Sequence, residues 1–162
     1  MRKAIYPGTF DPPHLGHVDL IQRGRALVDE LVVAVGINPK KKALFSQDER
    51  VELLRICTQG IDGVKVRRMD HLVVDLLREE NAQFILRGIR TFADFEAEYT
   101  MALTNRQLAG KHPAETLFVL PTLKYAHYSS QLVQEVAGFG GDVSEFLPAK
   151  VFERIQDRLG KR

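Results

Sequence analysis

The sequence predicts an α/β domain, a doubly wound sheet of about five parallel strands with helices on both faces. Three observations carry this reading. Short apolar runs at 31–37 and 84–86 have no polar interruption, as in strands buried on both faces of a parallel sheet. Helix-like stretches with their own start and stop signals separate these runs, so strand and helix alternate. The glycine-, proline- and lysine-rich segments each follow a strand, and in a parallel sheet such segments share one edge. The 162 residues make one domain, 1–162, large enough for its own core.

Residues 4–6 are the first strand. Tyr6-Pro7-Gly8-Thr9-Phe10-Asp11-Pro12-Pro13-His14-Leu15-Gly16-His17 follows, and its prolines and glycines are expected to forbid regular structure before a helix over about 17–28. Gly8 and Gly16 allow backbone to approach a ligand closely. His17 falls in the helix's first turn, where unpaired N–H groups and the dipole favour an anion, with His14 three residues before it. The strand at 31–37 ends at Asn38-Pro39, and Lys40-Lys41-Lys42 follows at its carboxyl end. Ser46-Gln47-Asp48-Glu49 reads as a capping box opening a helix to about Thr58. A strand at 64–68 precedes a helix to about Glu80 that Asp70 is placed to cap.

After the strand at 84–86 comes Arg87-Gly88-Ile89-Arg90. Arginine directly beyond a buried strand is poorly placed for packing and well placed for bidentate contact with phosphate. The ordinary alternative is pairing with Glu79, Glu80, Asp94 or Glu96. A long helix spans about 94–108, and Glu98 on it is placed to accept from a ribose hydroxyl or an adjacent arginine. A last strand at 116–120 stops at Pro121. In Tyr125-Ala126-His127-Tyr128-Ser129-Ser130-Gln131 either serine can cap a helix to Ala137 and help bind an anion. Pro148 opens a final helix to about Leu159. Four basic or hydroxyl-rich loops meeting on one edge describe a site for a highly phosphorylated ligand.

Bulk properties narrow the classes. A net charge of +2 is too small to make nucleic acid the main partner. No apolar run reaches membrane-spanning length and no signal peptide is evident, so no membrane association is expected. The single cysteine, Cys57, excludes an internal disulfide and suits a reducing cytoplasm.

Gly8-Thr9-Phe10-Asp11 with His14-Leu15-Gly16-His17 resembles the nucleotidyltransferase signature, whose two histidines contact nucleoside triphosphate phosphates. With Asn38-Pro39 and the lysines, Phe45, Glu49-Arg50, Arg87-Gly88-Ile89-Arg90, Asp94-Phe95-Glu96, Glu98, Asn105-Arg106 and 140–144, the chain resembles the phosphopantetheine adenylyltransferase family nearly end to end. That resemblance implies a Rossmann-like nucleotidyltransferase fold and adenylyl transfer from ATP to 4′-phosphopantetheine. It implies ATP contacts from Thr9, Phe10, His14, His17, Gly88, Ile89, Arg90, Glu98 and Tyr125, Ala126, His127, Tyr128, Ser129, Ser130 and Gln131, with His17 catalytic. It assigns Thr9, Lys41, Val73 and Arg87 to the acceptor. It further implies Mg²⁺ held mainly by ATP phosphates with no protein metal cage, a homo-oligomer of six copies, and inhibition by coenzyme A.

Two positions depart from the family pattern, which has Thr-Asn-Gly-His at 14–17 and Ile-Ser-Ser-Ser/Thr at 128–131. The first change looks like cytidylyltransferases and nicotinamide or nicotinate mononucleotide adenylyltransferases, the latter an alternative substrate class. A nucleotide-binding module without catalysis and an RNA-acylating fragment are further alternatives, though no Lys-Met-Ser-Lys-Ser loop is present.

Overall fold

A computed structural model describes residues 1–39 and 42–160. Among these, one parallel sheet has five strands in the order β3-β2-β1-β4-β5. They are β1 (Lys3–Gly8), β2 (Glu30–Val35), β3 (Val64–Arg68), β4 (Phe84–Gly88) and β5 (Glu115–Val119). The long helices between them are α1 (Leu15–Leu27), α2 (Gln47–Cys57), α3 (Val73–Glu79) and α4 (Phe92–Ala109), with α5 (Ser130–Gly138) and α6 (Ala149–Leu159) after the sheet. The chain order turns back between β1 and β4, and in such sheets a ligand crevice opens at that point.

The sheet buries both faces, as uninterrupted apolar strands require. Along β2, Leu31, Val33 and Val35 point to one side and pack with Leu20, Ile21, Val51 and Leu54 of α1 and α2. Val32 and Ala34 point to the other, toward Val74, Leu76 and Leu77 of α3 and Ala109 of α4. A third cluster joins Leu53 of α2 to Val133 of α5 and to Val151 and Ile155 of α6. The carboxyl-terminal helices are thereby fixed beside α2, which places the start of α5 at the crevice. At the opposite end of the strands, Lys3 forms ion pairs with Glu30 and Glu80.

Several boundaries differ from the sequence reading. β1 continues through Pro7 and Gly8, which pair in register with Ala34 and Val35. Proline is tolerated there because the pairing of β1 with β4 runs only over Ala4 and Ile5. Gly16 lies inside α1, with His14 at its N-cap. Ser46 does make the capping box, its Oγ accepting from Glu49 N at 3.2 Å. Asp70 does not cap α3: Leu72 is the N-cap, and Asp70 pairs with Arg68 at 3.4 Å. α4 starts before Asp94, because Thr91 Oγ1 accepts from Asp94 N at 3.1 Å. Cys57 behaves as a small half-buried apolar group, burial pushing its thiol up to about 11.

Gly24 of α1 faces Leu86 of β4 so closely that a Cβ there would lie 2.3 Å from Leu86 Cδ2. On an exposed helix face Gly→Ala gains up to about 1 kcal/mol. Here Leu86 is only 1% exposed and has no free space to enter. Gly24→Ala is therefore expected to destabilise by about 1–3 kcal/mol in urea denaturation; a gain in stability would show that the helix–sheet contact is loose.

Candidate nucleotide-binding cleft

The segment after β1 is shaped by packing beneath it. Phe10 has φ +50°, the left-handed region, and its buried ring lies edge-on to Tyr6 at 5.2 Å and to His17 at 4.9 Å. Gly8 is needed above that ring, since a Cβ would stand 2.8 Å from Phe10 Cζ. The loop thus keeps its backbone open where β1 ends and sets His17 against an aromatic floor.

His14 and His17 are stacked, with ring centroids 3.6 Å apart. The His14 backbone N–H donates to His17 Nδ1 at 3.1 Å. An accepting Nδ1 leaves the proton of neutral His17 on Nε2, so Nε2 is the available donor. Burial, and then the Arg90 charge, hold His14 down at about 3. Burial, His14 and Arg90 hold His17 well below the ordinary histidine value.

A cleft of about 440 Å³ opens over these rings. β1 and its loop contribute Tyr6 to Phe10, and α1 contributes Gly16, His17 and Leu20. β4 and its following residues contribute Arg87, Gly88 and Arg90, and α4 contributes Glu98. Pro121, Tyr125, Tyr128, Ser129 and Ser130 close the far side. A neighbouring cavity, also about 440 Å³, shares Thr9 and Ser130 and adds Asn38, Lys42, Gln131 and Gln134.

The sequence-predicted groups therefore meet, with exceptions. His14, His17, Thr9, Phe10, Arg87, Gly88, Arg90, Glu98, Tyr125, Tyr128, Ser129 and Ser130 all line the first cleft. Gln131 is exposed and faces the neighbouring cavity. Ile89 is buried, and His127 stands edge-on to Tyr128 at 4.8 Å; neither they nor Ala126 line either cavity. Val73, half-buried at the start of α3, packs on the α3 side of the sheet and lines neither. Lys41 lies outside the described residues.

The arginines find partners, only partly those anticipated. Arg87 donates from Nε to Glu98 Oε2 at 2.6 Å, from Nη2 to Glu98 Oε1, and from Nη1 to Pro7 O at 2.6 Å. Burial disfavours this guanidinium's charge, but the Glu98 hydrogen bonds outweigh it and raise its pKa. Both Glu98 oxygens are thus engaged by the adjacent arginine, one of the two partners anticipated. Arg90 donates to Asp94 Oδ2 at 3.1 Å and to Tyr128 O at 3.0 Å, tying the arginine loop to the α5 side. At α5, Ser129 Oγ caps by accepting from Leu132 N at 3.1 Å, while Ser130 Oγ donates to Pro12 O at 2.8 Å.

Asp11 and Arg50, which the sequence did not single out, support the cleft and line the neighbouring cavity. Asp11 accepts from the N–H groups of Leu44 at 2.7 Å and Phe45 at 2.9 Å, and Gln134 donates to it from α5. Arg50 of α2 reaches four main-chain carbonyls. The only sequence signal was an aspartate and an arginine near phosphate motifs, and neither type by itself distinguishes a support from a ligand contact. Among the described residues no cluster of three or more His, Cys, Asp or Glu groups is arranged to hold a metal ion. The carboxylates of Asp11, Asp94 and Glu98 already accept hydrogen bonds from protein groups.

A parallel sheet with a histidine loop, paired arginines and a helix start around one crevice defines a nucleotide-binding domain of the nucleotidyltransferase class. A family model described as cytidylyltransferase-like matches residues 5–136. A phosphopantetheine adenylyltransferase from Caldanaerobacter subterraneus subsp. tengcongensis is 47% identical, over 99% of both chains. One from Heliobacterium modesticaldum is 45% identical, over 99% of this chain and 94% of that one. One from Aquifex aeolicus is 41% identical, over 98% and 96%. The chain belongs to the phosphopantetheine adenylyltransferase family. The fold is also that of a lipopolysaccharide core biosynthesis protein from Thermoplasma volcanium, with a TM-score of 0.58 and 22% identity over 75% of this chain and 98% of that one.

The histidine pair makes stability depend on pH. Each ring is neutral in the fold but protonates in the unfolded chain below its ordinary value of 6.5. The unfolded state then binds more protons, so stability is full above that value and falls as pH drops toward about 3 for His14. The expected loss approaches about 1.4 kcal/mol per pH unit for each ring. Urea midpoints at pH 7.5, 6 and 5 measure it, and His14→Gln is expected to flatten the slope. A flat profile in the parent protein would show that the rings are readily protonated in place.

Proposed function

We propose that this protein transfers the adenylyl group of ATP to 4′-phosphopantetheine, giving dephospho-coenzyme A and pyrophosphate, a step of coenzyme A biosynthesis. The observation that carries the reading is the convergence of His17, Arg87, Arg90 and Ser129 on one cleft. Neutral Nε2–H, guanidinium groups and a helix amino end are three kinds of phosphate ligand, and here they come from separate segments of chain. Family membership supplies the acceptor.

The acceptor's phosphate is already a nucleophile, so no base has to activate it. One of its oxygens attacks the α-phosphorus of ATP in line, forming a P–O bond. The bond from that phosphorus to the bridging α–β oxygen breaks, and pyrophosphate leaves with the electron pair. No covalent enzyme intermediate forms. The protein positions the two reactants and stabilises shifting charge. His17 Nε2–H donates to a phosphate oxygen in the transition state, with His14 stacked beneath to fix its plane. Arg90 and the start of α5 hold the nucleotide, while Lys41 and Arg87 take the acceptor's phosphate. Mg²⁺ on the phosphate oxygens would neutralise part of their charge. These roles and the ion follow from family resemblance together with the cleft's donor set.

We infer the assembly on the same footing. Phe95, Tyr99, Leu103 and Leu108 of α4 are exposed, as are Phe118 and Leu120 at β5. Such a patch supports burial between copies of the chain, in the six-copy form the resemblance implies. The family also implies a cytoplasmic setting and inhibition by coenzyme A. Among the described residues no helix is long and apolar enough to cross a membrane.

A pyrophosphate-release assay with ATP and a panel of phosphorylated acceptors tests the reading. Turnover with 4′-phosphopantetheine is expected to exceed that with nicotinamide or nicotinate mononucleotide. The reverse order would move the protein to the alternative acceptor class that His14 suggests, and no release with any acceptor would leave a binding module. His17→Ala is expected to lower kcat by about 10²–10³-fold with the fold intact, by analogy with loss of one oxyanion donor. Near-normal turnover would remove His17 from the chemistry. Lys41→Ala is expected to raise KM for the acceptor with ATP affinity kept; the opposite pattern would exchange the two half-sites.

A further inference from the structure

Arg50 is 3% exposed, and its guanidinium grips main-chain carbonyls. Nε donates to Phe45 O at 3.1 Å and Ser46 O at 3.3 Å. Nη1 donates to Gly36 O at 2.9 Å and to Thr9 O. Gly36 and Phe45 flank the segment that carries the lysines of positions 40–42, and Thr9 belongs to the histidine loop. Asp11 binds the returning end of the lysine segment through the Leu44 and Phe45 N–H groups. One planar fork and one carboxylate therefore tie Gly36, Leu44 and Phe45 to the loop that presents His17. Burial lowers the guanidinium's pKa, and the Asp11 charge works against that shift.

We propose that Arg50 is a positioning residue for adenylyl transfer, holding Gly36 and Phe45 in register with Thr9 so that acceptor and nucleotide meet at one fixed separation. The inference rests on the adenylyl-transfer reading. A displacement of reacting atoms by about 1 Å can cost on the order of 10²-fold in rate, so a rigid cross-link between the two half-sites has a kinetic consequence beyond stability. Arginine suits the place because its donors are fixed in a fork. A lysine ammonium offers three donors at one point and cannot span carbonyls of the two loops together.

The test compares Arg50→Lys and Asp11→Asn with the parent protein. It uses steady-state kinetics in both substrates, equilibrium binding of α,β-methylene-ATP without acceptor, and thermal denaturation. Arg50→Lys is expected to lower kcat by about tenfold or more and raise the acceptor KM, with the Kd for the ATP analogue within about twofold. Asp11→Asn, which keeps shape but weakens one anchor, is expected to show the same split to a smaller degree. A fall in Tm with kcat and both KM values unchanged would make the pair purely structural and overturn the proposal. Equal loss of affinity for the analogue and the acceptor, or failure of both variants to fold, would overturn it too. Failure of the adenylyl-transfer reading is separately visible, as absence of pyrophosphate release by the parent protein with 4′-phosphopantetheine.

Discussion

Cations and N–H donors gathered at one sheet edge must be satisfied by the protein itself if the cleft is to hold its shape. That constraint accounts for most of the polar structure around it. Glu98 takes two hydrogen bonds from Arg87, and Asp94 with the Tyr128 carbonyl takes those of Arg90. The histidines meet the same requirement by remaining neutral, since a charged imidazole beside Arg90 in a buried stack would be repelled and poorly solvated. The result is a cleft rich in donors whose side chains are already oriented, which favours preorganised stabilisation of phosphate charge.

The order β3-β2-β1-β4-β5 provides the frame for that arrangement. β1 and β4 are neighbours, so the histidine loop and the arginine loop emerge side by side. The start of α5 is brought to them from elsewhere, by the apolar contacts of Val133 with Leu53 and by Ser130 and Gln134 binding carbonyls of the histidine loop. Packing remote from the cleft thus sets the position of the α5 start within it.

The fold was legible because its strands are buried on both faces and therefore carry continuous apolar runs, β2 most plainly. The capping box at Ser46 and the cap at Ser129 were legible because they depend on local spacing. Asp70 misled because its side chain had a choice that local pattern does not reveal, and the nearby Arg68 offered it an ion pair. Most of the site was legible from residue type and position after a strand. Gln131 and His127 were harder, because the direction of each side chain depends on how the segment turns into α5. Asp11 and Arg50 were invisible as supports, since Asp11 holds the N–H groups of Leu44 and Phe45 and Arg50 reaches the carbonyls of Thr9 and Gly36, and contacts to main chain so distant in sequence leave no periodic trace.

On the proposed function, separate strand-end segments form a single site for both phosphates. A crystal structure of the protein with α,β-methylene-ATP and 4′-phosphopantetheine tests it most directly. Triphosphate oxygens are expected within hydrogen-bond distance of His17 Nε2, Arg90 and the first turn of α5, with the acceptor phosphate beside Arg87. Nucleotide bound away from the histidine loop, or the two ligands held in separate clefts with no line of approach between them, would contradict it.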